Sequence, residues 1–184
     1  ASPLPFASPR VPRSFQAYIY SYDELRRLLE ATSILETTRF PQQPLTFRTL
    51  LLVLYGAGLR PGEALRLRRC DVDLADRILA IWNTKFFKSR LVPIGVDLCK
   101  ALDTYSTVRQ LLPVPDETRS AFFCTPTGHA ISLARLESVF VRLREHAGIR
   151  RPVSDRWQPR LHRRHAFAVH RLIAWYREGA DVQA

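Results

Sequence analysis

The stretch "PLTFRTLLLVLYGAGLRPGEALRL", residues 44–67, constrains the fold more than any other. It is apolar at nearly every position from Leu50 to Leu54, so a helix there has no side to offer to water and must be buried. Gly56 and Gly58 terminate it, because glycine closes a helix in a conformation other residues resist. Pro61 then opens a second, short helix, where its fixed φ fits and its missing N–H costs nothing. A length of 184 residues is enough for one domain that buries most of its apolar surface around such a helix.

The flanking pattern is also largely helical. Ser21 and Glu24 stand at capping-box spacing before an apolar stripe of Leu25, Leu28 and Leu29. Further helices are predicted from about Val96 to Leu111, from the cap Ser132 to a stop at Gly148, and over the final "HRRHAFAVHRLIAWYREG". Between them, "RILAIWNTKFFKSRLVPIG" holds two β-prone runs, Ile78 to Trp82 and Arg90 to Ile94, joined by a polar turn. The short apolar "AFFCT" is followed by a turn at "PTGH". The predicted fold class is mainly α, of α+β type, with a small antiparallel β-hairpin or sheet. Residues 1–17 carry four prolines among Ser, Ala and Arg, which predicts an extended linker before a domain spanning 18–184.

Charge narrows the class of partner. There are 28 basic residues against 17 acidic, a formal net charge of +11, which points to a polyanion and first of all to nucleic acid. Only three of the basic residues are lysines, Lys85, Lys88 and Lys100, so each lysine carries information. The arginine excess suits bidentate phosphate contacts, and it also follows from a GC-rich genome. Cys70, Cys99 and Cys124 are widely spaced and lack a Cys-x-x-Cys pair, which argues against a disulfide framework or zinc ribbon and fits a reducing cytosol. No apolar run reaches bilayer length, and the opening residues lack the core of a signal peptide, so a cytoplasmic chain without a membrane partner is expected.

Three constellations carry chemistry. In "GAGLRPGEALRL", Arg60 stands at the start of a helix, where free amides and the dipole favour an anion and a guanidinium adds a fork for two oxygens of one phosphate. The same residues also fit a surface arginine at a tight corner, with Glu63 serving the helix dipole. In "NTKFFKSRLVP", Lys85 and Lys88 occupy the hairpin turn; such a lysine is either plainly solvated or lowered into a DNA groove, where its ammonium can protonate a departing alkoxide. In "RLHRRHAFAVH", His162, His165 and His170 lie three and five residues apart, without the four-residue spacing or the extra ligands of a helical zinc site. Its arginines fit either a solvated basic face or a phosphate site.

Taken together, "GLRPGEALRLRRCDVDL", the turn lysine before "KSRLVPIG" and the late "RRHAFAVH" resemble the tyrosine recombinase family, also called phage integrases. The resemblance covers about residues 18–184, a catalytic domain incomplete at its C-terminus. It implies an enzyme of a mobile element that cuts and rejoins double-stranded DNA, self-associating on it near the bacterial nucleoid, with neither metal nor nucleotide cofactor. In the family a tyrosine attacks the scissile phosphate, two arginines hold the non-bridging oxygens, and a lysine protonates the 5′ leaving oxygen. Arg60 matches the first arginine, Lys85 the lysine and Arg164 the second arginine, with His162 beside it as the motif's histidine. Lys88, Arg90, Arg163 and His165 are then expected DNA contacts.

The chain departs from the family pattern in two places. The family spaces its histidine three residues before the second arginine, whereas His162 stands two before Arg164, a turn of about 200° around a helix. Either the backbone there is irregular enough to bring His162 in, or its contribution is missing. The second departure concerns the nucleophile, which in the family follows a Leu-Gly-His-like motif absent before Ala184. Tyr176 lies twelve residues past Arg164, about 18 Å along one continuous helix, so both cannot touch one phosphate. The tyrosine is therefore expected from a continuation of the chain or from another protomer. A degenerate DNA-binding relative without chemistry is the alternative, and an RNA-binding protein is disfavoured because no single-strand aromatic motif is visible.

Overall fold

In the computed structural model, residues 18–82, 89–112, 118–150, 170, 171 and 174 are described. The predicted linker 1–17 and most of the final helix lie outside them. Helix α1, Tyr22–Glu30, opens at Ser21 with the predicted capping box: Ser21 accepts from the Glu24 N–H, and Glu24 accepts from the Ser21 N–H. A 3₁₀ turn, Ala31–Leu35, leads to α2, Gln43–Gly56. The apolar run folds as expected, with Leu50, Leu51, Val53 and Leu54 fully buried. Helix α2 packs on α4, Val96–Gln110, and on the 3₁₀ turn, which α5, Leu133–His146, covers in its turn.

At Gly56 the packing of α2 on α4 is close enough that an added Cβ would meet Leu98 Cδ2 at 3.2 Å. Helix α3, Pro61–Leu65, follows the glycine corner as the sequence predicts. The chain then forms three antiparallel strands in the order β1-β2-β3: Val72–Asp73, Ile78–Ile81 and Arg90–Pro93. The hairpin was legible in its two β-prone runs and the polar turn between them; two-residue β1 was not, being too short to show such a run. Trp82, included in the predicted strand, falls just beyond β2.

The segment "AFFCT" is not a free-standing strand. Ala121 bridges to Arg68, and the Phe122 N–H donates to the Leu67 carbonyl at 2.8 Å, closing the domain behind α3. Phe122, Phe123 and Tyr105 form an aromatic cluster there. Arg109, 1% exposed, donates to the carbonyls of Ala121 and Phe122 and to Ser120 Oγ. Among the described residues, no helix is long and apolar enough to cross a membrane.

Candidate active site

Gly58, with φ of 61°, turns the chain from α2 into α3 in the left-handed region that favours glycine. Arg60 follows in extended conformation, its side chain 48% exposed, while the carboxylate of Glu63 three residues on is 2% exposed. Glu63 Oε2 accepts the Arg60 backbone N–H at 2.9 Å, and Oε1 accepts Arg60 Nη1 at 3.4 Å. From β3, Arg90 grips the same carboxylate with Nη1 at 3.2 Å and Nη2 at 2.8 Å. One buried acid thus fixes two arginines that the sequence separates widely.

Burial raises the Glu63 pKa, but hydrogen bonds from Arg90 and from the Arg60 N–H, together with both charges, outweigh it and hold the carboxyl below its ordinary value. The acid is therefore an anion at neutral pH. Arg60 keeps most of its donors, because its guanidinium contact with Glu63 is long and about half of its side chain is exposed. The anion-binding amides expected at the helix start count for little: Pro61 has no N–H, that of Arg60 is taken by Glu63, and α3 has only five residues. An anion at this corner would meet the Arg60 guanidinium rather than free helix amides.

A second buried carboxylate ties down the other strand. Asp71 accepts the Arg68 N–H at 2.8 Å and the Trp82 Nε1–H at 2.7 Å. Residues 83–88 are thus flanked by two anchored positions, Trp82 on Asp71 and Arg90 on Glu63. Farther along, His170 packs its ring on Tyr22 at 4.2 Å and bonds Tyr55 Oη through Nδ1 at 2.8 Å. Burial lowers the His170 pKa, and burial, with Tyr22 adding, pushes Tyr55 up to about 12.

Of the residues singled out from sequence, the structure brings Arg60 and Arg90 together. Lys85, Lys88, His162, Arg163, Arg164 and His165 lie outside the described residues, as does Tyr176. The described tyrosines have structural partners: Tyr18 bonds Glu24, Tyr20 packs on Phe140, Tyr22 and Tyr55 hold His170, and Tyr105 sits among phenylalanines.

Residues 21–184 match the Phage integrase family. The chain belongs to that family. It is 37% identical over 167 residues to y4rE of Sinorhizobium fredii, described as an integrase/recombinase, covering 90% of this chain and 52% of the relative. The crystal structure of XerA recombinase superposes with a TM-score of 0.68 at 26% identity, over 92% of this chain and 54% of that one. A structure of XerH site-specific recombinase bound to palindromic difH substrate, a post-cleavage complex, gives 0.64 at 25% identity, over 88% of this chain and 42% of that one. The chain thus spans about half the length of these relatives, and its fold is that of tyrosine recombinase catalytic domains.

Within this phage integrase fold, several site residues escaped the sequence. Glu63 was read only as a dipole partner, although its three-residue spacing from Arg60 at a helix start is a capping signal. Trp82 offered a weaker signal: an indole N–H at the end of an apolar strand needs an acceptor. His170 gave none toward Tyr55, which lies 115 residues earlier.

Proposed function

We propose that these residues form most of the catalytic centre of a DNA site-specific recombinase of a mobile element, acting in the cytoplasm at the nucleoid. The observation that carries this reading is Arg60, bonded through its backbone N–H and one guanidinium nitrogen to buried Glu63 and half exposed, in a chain of this family. Arg60 and Arg164 hold the two non-bridging oxygens of the scissile phosphate and stabilise charge as it builds there. A tyrosine oxygen attacks phosphorus as its proton passes to solvent, the bond to the 5′ oxygen breaks, and Lys85 supplies the proton that this oxygen takes up and regains one from solvent. His162 stands beside Arg164 as an auxiliary proton or hydrogen-bond partner of the phosphate. The phosphotyrosyl ester keeps the bond energy, so a second 5′ hydroxyl can reverse the step on another strand.

The reaction is a pair of transesterifications, balanced without redox change or a hydrolysed nucleotide. The attacking tyrosine belongs to the full-length protein, in the same protomer or in a second one on the same DNA. Lys88, Arg163 and His165, with the solvent-facing part of Arg90, contact the duplex. The test is covalent trapping of the full-length protein on a nicked suicide duplex. A protein–DNA adduct that disappears in Arg60→Ala and in Lys85→Ala is the expected result. Absence of any adduct, with duplex binding intact, makes this copy a non-catalytic DNA-binding relative.

A further inference from the structure

Next to the Arg60–Glu63–Arg90 group lies a distinct open cleft of about 530 Å³, whose lining includes Trp82, Arg66, Arg68 and Arg119, with Glu63 and Asp71 at its base. Trp82 is 56% exposed, a large apolar surface left to water. Its ring is nevertheless fixed, because Nε1–H donates to buried Asp71 at 2.7 Å. An indole held by its N–H at the ring edge keeps its orientation while a face remains free. Arg66, Arg68 and Arg119 are exposed, and among the described residues no carboxylate pairs with their guanidinium groups. Both acids of the cleft are already committed, Glu63 to Arg60 and Arg90, and Asp71 to Trp82 and the Arg68 N–H. What the cleft offers a ligand is an anchored aromatic surface beside three arginines, whose charge outweighs that of Asp71, which is bonded only by neutral donors.

We propose that this cleft holds an unpaired DNA nucleotide, its base stacked on Trp82 and its phosphates on Arg66, Arg68 and Arg119. A cationic groove combined with an aromatic platform is the means by which proteins hold single strands, since every base has a π face. A base inside a duplex already has both faces stacked, so the exposed indole selects for a strand that has left its partner. The volume falls within the usual span of small-molecule sites. The inference rests on the proposed strand transfer, in which a freed 5′ end must leave its complement before joining another strand.

The full chain is titrated with a labelled oligothymidine and, separately, with a duplex of equal length. Trp82→Ala weakens oligothymidine binding roughly ten-fold or more and leaves duplex binding unchanged; Trp82→Phe, which keeps a stacking face but not the bond to Asp71, retains an intermediate affinity. The double variant Arg66→Ala/Arg119→Ala also weakens oligothymidine and lowers its salt dependence, and it carries the test if Trp82→Ala fails to fold. Arg60→Ala serves as the contrast, affecting duplex cleavage but not the oligothymidine. Equal losses on both DNAs overturn the proposal in favour of a duplex phosphate groove. Unchanged binding in every cleft variant overturns it in favour of a structural indole. Failure of the native chain to bind either DNA overturns the proposed function along with it.

Discussion

At the scale of single residues, buried carboxylates do the organising. Glu63 satisfies a backbone N–H and two guanidinium groups from separate elements, and its removal leaves those donors to find water. Glu63→Ala is expected to cost about 2 kcal/mol, measured by urea unfolding, near the middle of the range for hydrogen bonds to charged groups. Because its folded pKa lies below its unfolded one, the contribution is complete above the unfolded carboxyl range of about 4.3 and is lost as pH falls through and below it. The variant therefore shows a shallower loss of stability in acid than the native protein. Arg109 plays a comparable part toward a neighbouring segment: its planar fork reaches the Ala121 and Phe122 carbonyls and Ser120 Oγ. Arg109→Lys is expected to destabilise by about 2 kcal/mol despite keeping the charge, since an ammonium cannot span them, and thermal unfolding would show it.

At the scale of elements, the corner from α2 to α3 and the docking of the chain around His170 decide whether the site assembles. Gly58→Ala forces a Cβ into a positive-φ position and is expected to cost about 1–2 kcal/mol, with the loss of Arg60 placement seen as weaker duplex binding. His170 sits between Tyr22 and Tyr55 with its pKa lowered by burial. Its stabilising contribution is full above about 6.5, the unfolded value, and fades as pH falls through the lower folded one. Melting measured at pH 8 and pH 5.5 should show a drop that His170→Gln largely abolishes. Helices were legible because burial follows a period or, in α2, because no polar face exists. The links between elements were not: the Glu63–Arg90, Asp71–Trp82 and Tyr55–His170 bonds join positions far apart in sequence, and no local pattern encodes which acid meets which base. Arg60 was visible from its setting, yet its true support is Glu63 and not the helix amides.

At the scale of the molecule, charge was the plainest message of the sequence, but a net +11 does not say which arginines meet DNA. The structure sorts some of them. Arg26 and Arg27 share the exposed Asp23 on α1, Arg109 is enclosed, and Arg60 is half exposed and paired with buried Glu63. Affinity for duplex DNA falls with salt at about 0.9 log units per log unit for each phosphate neutralised, so the slope counts the arginines in contact. Arg60→Ala is expected to reduce that slope by about one, because the proposed function assigns Arg60 one phosphate contact. Arg26→Ala changes the net charge by the same amount and should leave the slope as it was, because Arg26, on α1, is not among the residues proposed to contact DNA. Fluorescence anisotropy over a salt series, run on both variants with one duplex, separates the two. Equal slopes for the two variants would mean that the field of the whole molecule, and not the Arg60 corner, accounts for DNA binding.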